Sequence, residues 1–263
     1  MDSGVAFQLG PLAVRWYGLL ISTGVISGYI VAYYRTKARG QDPEHISNIL
    51  MIGLVAAIIS ARLYYVAFSF NSYRGNLAEI FAIWHGGLSF YGGLIVGLIG
   101  LGAWARRRRV SFGLAADLVA PAAAAGQAIG HIGCLIGGDS YGLPSDGPLA
   151  VIYRLPGAMA PKGVPLHPTQ LYEAVSLGIL ALALWASRGR LEQIGPGATA
   201  AVYLLGNAGV RFALFFLRDD VVVLAGLKVA QLIAIGIGLA GVAWLLALRH
   251  RPAPVPVVPQ PAP

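Results

Sequence analysis

Apolar residues run along this chain in continuous stretches, and the polar residues collect between them. Crossing the hydrocarbon core of a bilayer takes about 20 mostly apolar residues in helical form. Seven stretches reach that length: roughly 12–34, 47–69, 86–105, 112–136, 168–187, 197–217 and 226–248. The runs are continuous rather than alternating, which excludes a membrane-spanning strand barrel. The pattern predicts an all-α, polytopic membrane protein with about seven transmembrane helices. The fourth run is alanine-rich and then glycine-rich, so its end is expected to unwind. Residues 1–250 read as one membrane domain with a long loop at about 139–167. The tail at 251–263, RPAPVPVVPQPAP, reads as a disordered polyproline-type extension.

Composition narrows the class. Of 263 residues, 57% are hydrophobic and only 11% are charged. The mean hydropathy is +0.68. About a quarter of a soluble domain is charged, so a soluble enzyme and a disordered chain are both excluded. A single cysteine excludes an intramolecular disulfide and any cysteine-based metal site. Residues 1–10 lack a basic leader and run into a full-length span, so no cleavable signal peptide is expected.

The net charge of +8 is unevenly placed. Arg35, Lys37, Arg39, the four arginines at 106–109, Arg188, Arg190, Arg249 and Arg251 fall on one side of the seven spans. Arg74, Arg154, Lys162, Arg218 and Lys228 fall on the other. Loops rich in Lys and Arg stay in the cytoplasm. The N-terminus is therefore expected outside and the C-terminus in the cytoplasm. The excess charge is a topology signal, and nucleic acid is not an expected partner.

Three arginines fall within predicted spans: Arg15 near the outer end of the first, Arg62 in the second and Arg211 well inside the sixth. An arginine at the bilayer centre costs about 2.5–3.5 kcal/mol on insertion scales. Arg15 can snorkel to the outer surface. Asp117 in the fourth span and Glu173 in the fifth are the only acids within the predicted spans. Glu173 can pair with one arginine, which leaves a guanidinium in need of a counter-ion. A phospholipid phosphate fits, because the planar fork of arginine grips phosphate with two hydrogen bonds.

Three polar segments interrupt the apolar pattern: HGGLSFYGG at 85–93, GQAIGHIGCLIGGDSYG at 126–142 and HPTQLYE at 167–173. The topology puts all three at the outer ends of spans, where they can share one site. His85, His131 and His167 bring imidazoles that titrate near neutral pH, and Asp139 and Glu173 bring carboxylates. For each histidine alone, a hydrogen-bonding role between helices competes with catalysis. Cys134 reads as a small packing residue.

These segments, with RWYGLL at 15–20, ARLYYV at 61–66 and NAGVRF at 207–212, resemble the bacterial prolipoprotein diacylglyceryl transferases over nearly the whole chain. The resemblance implies a multi-pass enzyme of the bacterial cytoplasmic (inner) membrane. Its partners would be phosphatidylglycerol and an exported preprolipoprotein with a lipobox cysteine. A diacylglyceryl group would pass to that thiol, glycerol phosphate would leave, and no cofactor would take part. Tyr17, Gly142, His167, Gln170, Tyr172, Glu173 and Arg211 match family motif positions. The resemblance thus implies His85, His131, Asp139, Glu173 and Arg211 as catalytic candidates. Tyr17, Arg62, Tyr91, Gly142, His167, Gln170 and Tyr172 become substrate-binding candidates. Several motif positions differ. Tyr91 stands where the family has histidine. In the pattern GRxGNFxNGE, His131 replaces the arginine, Cys134 and Gly137 the asparagines, and Asp139 the glutamate. In YGxxRxxxE, Asn207 replaces the tyrosine and Phe215 the glutamate. The alternative is a diverged homologue that binds phospholipid or lipoprotein without turnover, or that uses another acceptor. No internal repeat is visible, which argues against a transporter.

Overall fold

The structure, a computed structural model, describes residues 5–9, 12–38, 40, 43–83, 89–154 and 157–249. The tail at 251–263 lies outside them. Eight helices carry the described fold: α1 Trp16–Ala38, α2 Pro43–Phe68, α3 Phe90–Arg107, α4 Phe112–Gly137, α5 Thr169–Ala186, the short α6 Arg188–Ile194, α7 Ala198–Leu214 and α8 Val229–Arg249. Among the described residues, four helical segments are long and apolar enough to cross a membrane: Phe112–Gly137, Thr169–Ala186, Ala198–Leu217 and Val229–Arg249. Gly53–Phe68 is a shorter apolar helix. The protein is a mainly helical, polytopic membrane protein.

It is not all-α. Three two-stranded antiparallel hairpins sit at helix ends: β1 Val5–Leu9 with β2 Leu12–Arg15, β3 Val151–Ile152 with β4 Pro165–Leu166, and β5 Val222–Leu224 with β6 Leu227–Lys228. The first moves a predicted boundary. Leu9 pairs with Leu12 and Val5 with Arg15, so the backbone of 12–15 finds its partners across the hairpin. The helix begins at Trp16, and Arg15 closes a strand just before it rather than lying inside a span.

The glycine-rich end of α4 also departs from expectation, because the helix stays wound to Gly137. Gly138 ends it in the left-handed region (φ 70°), and its N–H reaches the carbonyl of Cys134. Only glycine adopts that conformation without strain. At the other end of α4, the Ser111 hydroxyl accepts from Leu114 N at 3.2 Å, a standard N-cap.

Helix α4 is the hub. It packs against α1, α5 and α7, and α7 packs in turn on α8. Its buried face is mostly small: Ala115, Ala120, Ala122, Ala124 and Gly133. Small residues let helix backbones approach where no hydrophobic drive separates lipid from protein. A Cβ on Gly24 of α1 would stand 2.8 Å from the carbonyl oxygen of Gly126. The outward faces carry exposed apolar side chains, Ile26, Leu63, Ile99, Ile179, Leu182 and Leu239 among them. On a membrane protein this is the lipid-facing surface.

The buried acid Asp117 sets the relation of α4 to α7. Its carboxylate accepts from Gly197 N and Ala200 N, each at 2.9 Å. Those N–H groups have no partner within α7, and a carboxylate there also meets the positive end of the helix dipole. Further along, the Gln127 amide oxygen accepts from Tyr203 Oη at 3.1 Å and from Asn207 Nδ2 at 2.9 Å. With α4 and α7 parallel and α5 reversed, the C-terminal ends of α4 and α7 meet the N-terminal end of α5.

Candidate active site

At that meeting point the polar segments 126–142 and 167–173 come together, as their positions predicted. Thr169 Oγ1 donates to the Ser140 carbonyl at 2.8 Å, and Gln170 Nε2 donates to the Asp139 carbonyl at 2.5 Å. Both side chains are fully buried. They fasten the first turn of α5 to the chain leaving α4. Gly142 N donates to the His167 carbonyl at 3.1 Å, and His167 N donates to the Leu143 carbonyl at 2.9 Å. The loop 139–167 is ordered over its described residues, with Tyr153, Ala160 and Leu166 forming a small apolar core of their own. The Tyr153 hydroxyl accepts from Gln170 Nε2 at 3.3 Å. Burial pushes that hydroxyl above its ordinary range.

Inside this frame lie the charges. Glu173 of α5 is only 1% exposed. Its Oε2 is 3.1 Å from His131 Nδ1 of α4 and 3.9 Å from Arg218 Nη1. The His131–Glu173 contact is close but not aligned as a hydrogen bond, so Nδ1 and Oε2 are buried without hydrogen-bond partners among the described residues. Asp139 Oδ1 and Gln170 Oε1 share that condition. Buried polar atoms are nearly always hydrogen-bonded. Four such atoms at one point make this cluster the candidate site. Cys134 of α4 is half-buried.

Arg211 lies in the last turn of α7, at the same end as the cluster and still within the apolar segment Ala198–Leu217. Its guanidinium sits 6.0 Å over the Phe215 ring and makes no hydrogen bond or ion pair with the described residues. Arg218 covers the same ring at 4.8 Å. Both arginines lie close enough to act electrostatically on Glu173 and His131. A 3-10 turn, Phe215–Leu217, carries the chain from one arginine to the other. Lys228, 7% exposed, holds that turn: its Nζ donates to the Phe215 carbonyl at 2.6 Å and to the Arg218 carbonyl. Gln231 Nε2 donates to the Phe212 carbonyl at 3.1 Å.

A family model for prolipoprotein diacylglyceryl transferase matches residues 4–247. The chain belongs to the prolipoprotein diacylglyceryl transferase family. It is 36% identical to the phosphatidylglycerol–prolipoprotein diacylglyceryl transferase of Synechococcus elongatus, covering 97% of this chain and 90% of that protein. It is 37% identical to the protein of that name from Synechocystis sp., covering 94% and 90%. The one from Finegoldia magna is 36% identical, covering 94% and 95%. As a member of this family the protein is a membrane-embedded diacylglyceryl transferase.

The transferase brings together some of the expected site residues and not others. His131, Asp139, Gln170, Glu173 and Arg211 converge. Gly142 and His167 build the wall behind them, and His167 Nδ1 lies 3.5 Å from the Tyr172 hydroxyl. Arg62 is held elsewhere. Its Nε and Nη2 donate to the carbonyls of Ile80 at 2.9 Å and Glu79 at 2.5 Å, and it stacks 5.3 Å from the Tyr73 ring. In this transferase Arg62 braces the 77–82 segment through carbonyl acceptors. His85 lies outside the described residues, as do the side chains of Tyr17 and Tyr91. The sequence reading missed Arg218, which it counted only as a loop charge, and Lys228, which positions it. Their signal was placement: each flanks a span at the end where the polar motifs gather.

Proposed function

We propose that this transferase moves the diacylglyceryl group of phosphatidylglycerol to the thiol of a lipobox cysteine in an exported preprolipoprotein. The protein would span the bacterial cytoplasmic membrane seven times, with the N-terminus outside and the C-terminus in the cytoplasm. The uneven distribution of basic loops supports that orientation, under which the polar cluster would lie at the outward face of the cytoplasmic membrane. The observation that carries the reading is Arg211. It is a guanidinium without a hydrogen-bond acceptor among the described residues, next to a buried histidine–carboxylate pair. A cation in that position attracts a phosphate at the depth of a lipid headgroup.

The chemistry follows from the two halves of the site. His131 accepts the proton of the acceptor thiol, and Glu173 orients the imidazole and stabilises the imidazolium that forms. The sulfur attacks the glyceryl carbon that bears the phosphate. A carbon–sulfur bond forms, the carbon–oxygen bond breaks, and its electron pair leaves on glycerol phosphate. Arg211 holds the phosphate in the ground state and stabilises the charge that grows on it as it departs. Gln170 ties the Asp139 backbone to the first turn of α5, which carries Glu173, and Gly142 admits the close approach of three backbone segments.

Incubating the purified protein with labelled phosphatidylglycerol and a lipobox peptide tests the reading. Release of glycerol phosphate together with a thioether-linked peptide is the expected result. Binding of phosphatidylglycerol with no release would favour the lipid-binding alternative. Lipid turnover with the cysteine left unmodified would assign another acceptor.

A further inference from the structure

We propose that Arg218 is a second phosphate-gripping guanidinium of this site, acting beside Arg211. This rests on the phosphatidylglycerol reaction proposed above. A departing phosphate gains charge, so one point of contact stabilises it less than two convergent ones. His131 serves as the base, so Arg211 alone would otherwise face the phosphate.

Arg218 is placed to make up the loss. It reaches Glu173 from the α7–α8 connection, a different direction from His131 on α4. The guanidinium is preorganised: its Nε bonds Asp220 Oδ2 at 3.1 Å, its Cζ lies 4.8 Å from the centre of the Phe215 ring, and Lys228 fixes its backbone carbonyl. Nη2 makes no hydrogen bond among the described residues, so it is open to a ligand oxygen. The side chain remains 13% exposed, enough for a headgroup to reach it. Phe215 stands where the family has glutamate. An acid there would draw both arginines toward itself. The aromatic ring instead supports Arg211 and Arg218 through cation–π contact without neutralising either. Two cations sharing one ring repel each other, and an anion between them relieves that repulsion.

The test uses the purified full chain with two readouts: steady-state kinetics with phosphatidylglycerol, and binding of glycerol phosphate measured by thermal protection. Arg218→Ala should raise KM for phosphatidylglycerol and weaken glycerol phosphate binding, each about tenfold. Arg218→Lys keeps the charge and the pairing with Glu173 but loses the planar fork. It should retain the folded state and still bind glycerol phosphate several-fold more weakly. Adding His131→Arg to Arg218→Ala should restore glycerol phosphate binding without restoring turnover. Unchanged KM and unchanged binding in Arg218→Ala would overturn the proposal. Should that variant not fold, full affinity in Arg218→Lys would overturn it instead. A wild-type protein that binds glycerol phosphate through Arg218 yet turns over no phosphatidylglycerol would support this inference while refuting the reaction above.

Discussion

Gly142 offers a sharp test of how the active-site frame is built. A Cβ at this position would lie 2.7 Å from His167 Cβ, 2.7 Å from the His167 carbonyl oxygen and 2.7 Å from the Leu217 carbonyl oxygen. Ordinary contact begins at 3.4 Å, so Gly142→Ala forces these atoms back by about 0.7 Å. None of the three is the end of a flexible side chain. The two carbonyls belong to segments hydrogen-bonded to this stretch, through Gly142 N to His167 and Leu143 N to Leu217 at 2.7 Å. Retreat therefore moves the approach to α5, which carries Glu173, away from the turn that carries Arg218. Overpacking of this kind costs about 1–3 kcal/mol of stability. The larger effect falls on rate, because a misplacement near 1 Å costs on the order of a hundredfold. Gly142→Ala should cut peptide lipidation by about that factor while the protein still folds in detergent. Gly157→Ala lies in the same loop with nothing within 4 Å of the added methyl, and it should be silent. Gly142→Ala activity within threefold of wild type would refute the claim that close approach at this glycine holds the two halves of the site in register.

Other substitutions separate the chemistry from the scaffold. Glu173→Gln keeps the shape but removes the carboxylate charge, so turnover should fall by about 10²–10⁴-fold at an unchanged melting temperature. Asp117→Ala removes the cap of α7 and should lower thermal stability by about 1–2 kcal/mol. Because Asp117 lies at the opposite end of the bundle, KM for phosphatidylglycerol should hold. Lys228→Met strips the support from the Phe215 and Arg218 carbonyls, and it should raise KM with a smaller change in kcat. Tyr153 has a pH signature. Its hydroxyl is raised above the ordinary value of 10.0 by burial, so the stability it contributes is complete below that value and is lost as pH rises through the folded value. Tyr153→Phe should flatten the fall of thermal stability in that alkaline range.

The membrane class and most helix boundaries were legible because span length and loop charge are one-dimensional quantities. The hairpin before α1 was not, since Leu12–Arg15 is as apolar as the helix it precedes and only pairing with 5–9 marks it as strand. The winding of α4 to Gly137 was hidden for a related reason. Glycine propensity argues for fraying, but packing against α5 overrides it. At the site, the motifs 126–142 and 167–173 could be placed together because both fall at outer span ends. The partners of each arginine could not. Charge balance treated Arg62 and Arg211 alike, yet backbone carbonyls from a neighbouring turn bind Arg62. Carbonyl acceptors leave no trace in a charge count.

That blindness bears on how the substitutions in the family motifs should be read. Taken one at a time, His131, Asn207 and Phe215 each look like a loss. In three dimensions they fall into two coherent sets. Asn207 donates to Gln127 and ties α7 to α4, a structural task that an amide performs as well as a hydroxyl. His131 and Phe215 act on the same charges: one sets an imidazole beside Glu173, and the other sets an uncharged ring against Arg211 and Arg218. An arginine at 131 with a glutamate at 215 would keep the local charge the same as histidine with phenylalanine. The two positions together therefore keep the net charge of the site while an imidazole stands next to Glu173. His131→Arg removes the base and should abolish lipidation whatever stands at 215, whereas Phe215→Glu with His131 in place should raise KM for phosphatidylglycerol by drawing Arg211 and Arg218 toward the new carboxylate. Steady-state kinetics of the two single variants and the double variant check that ordering.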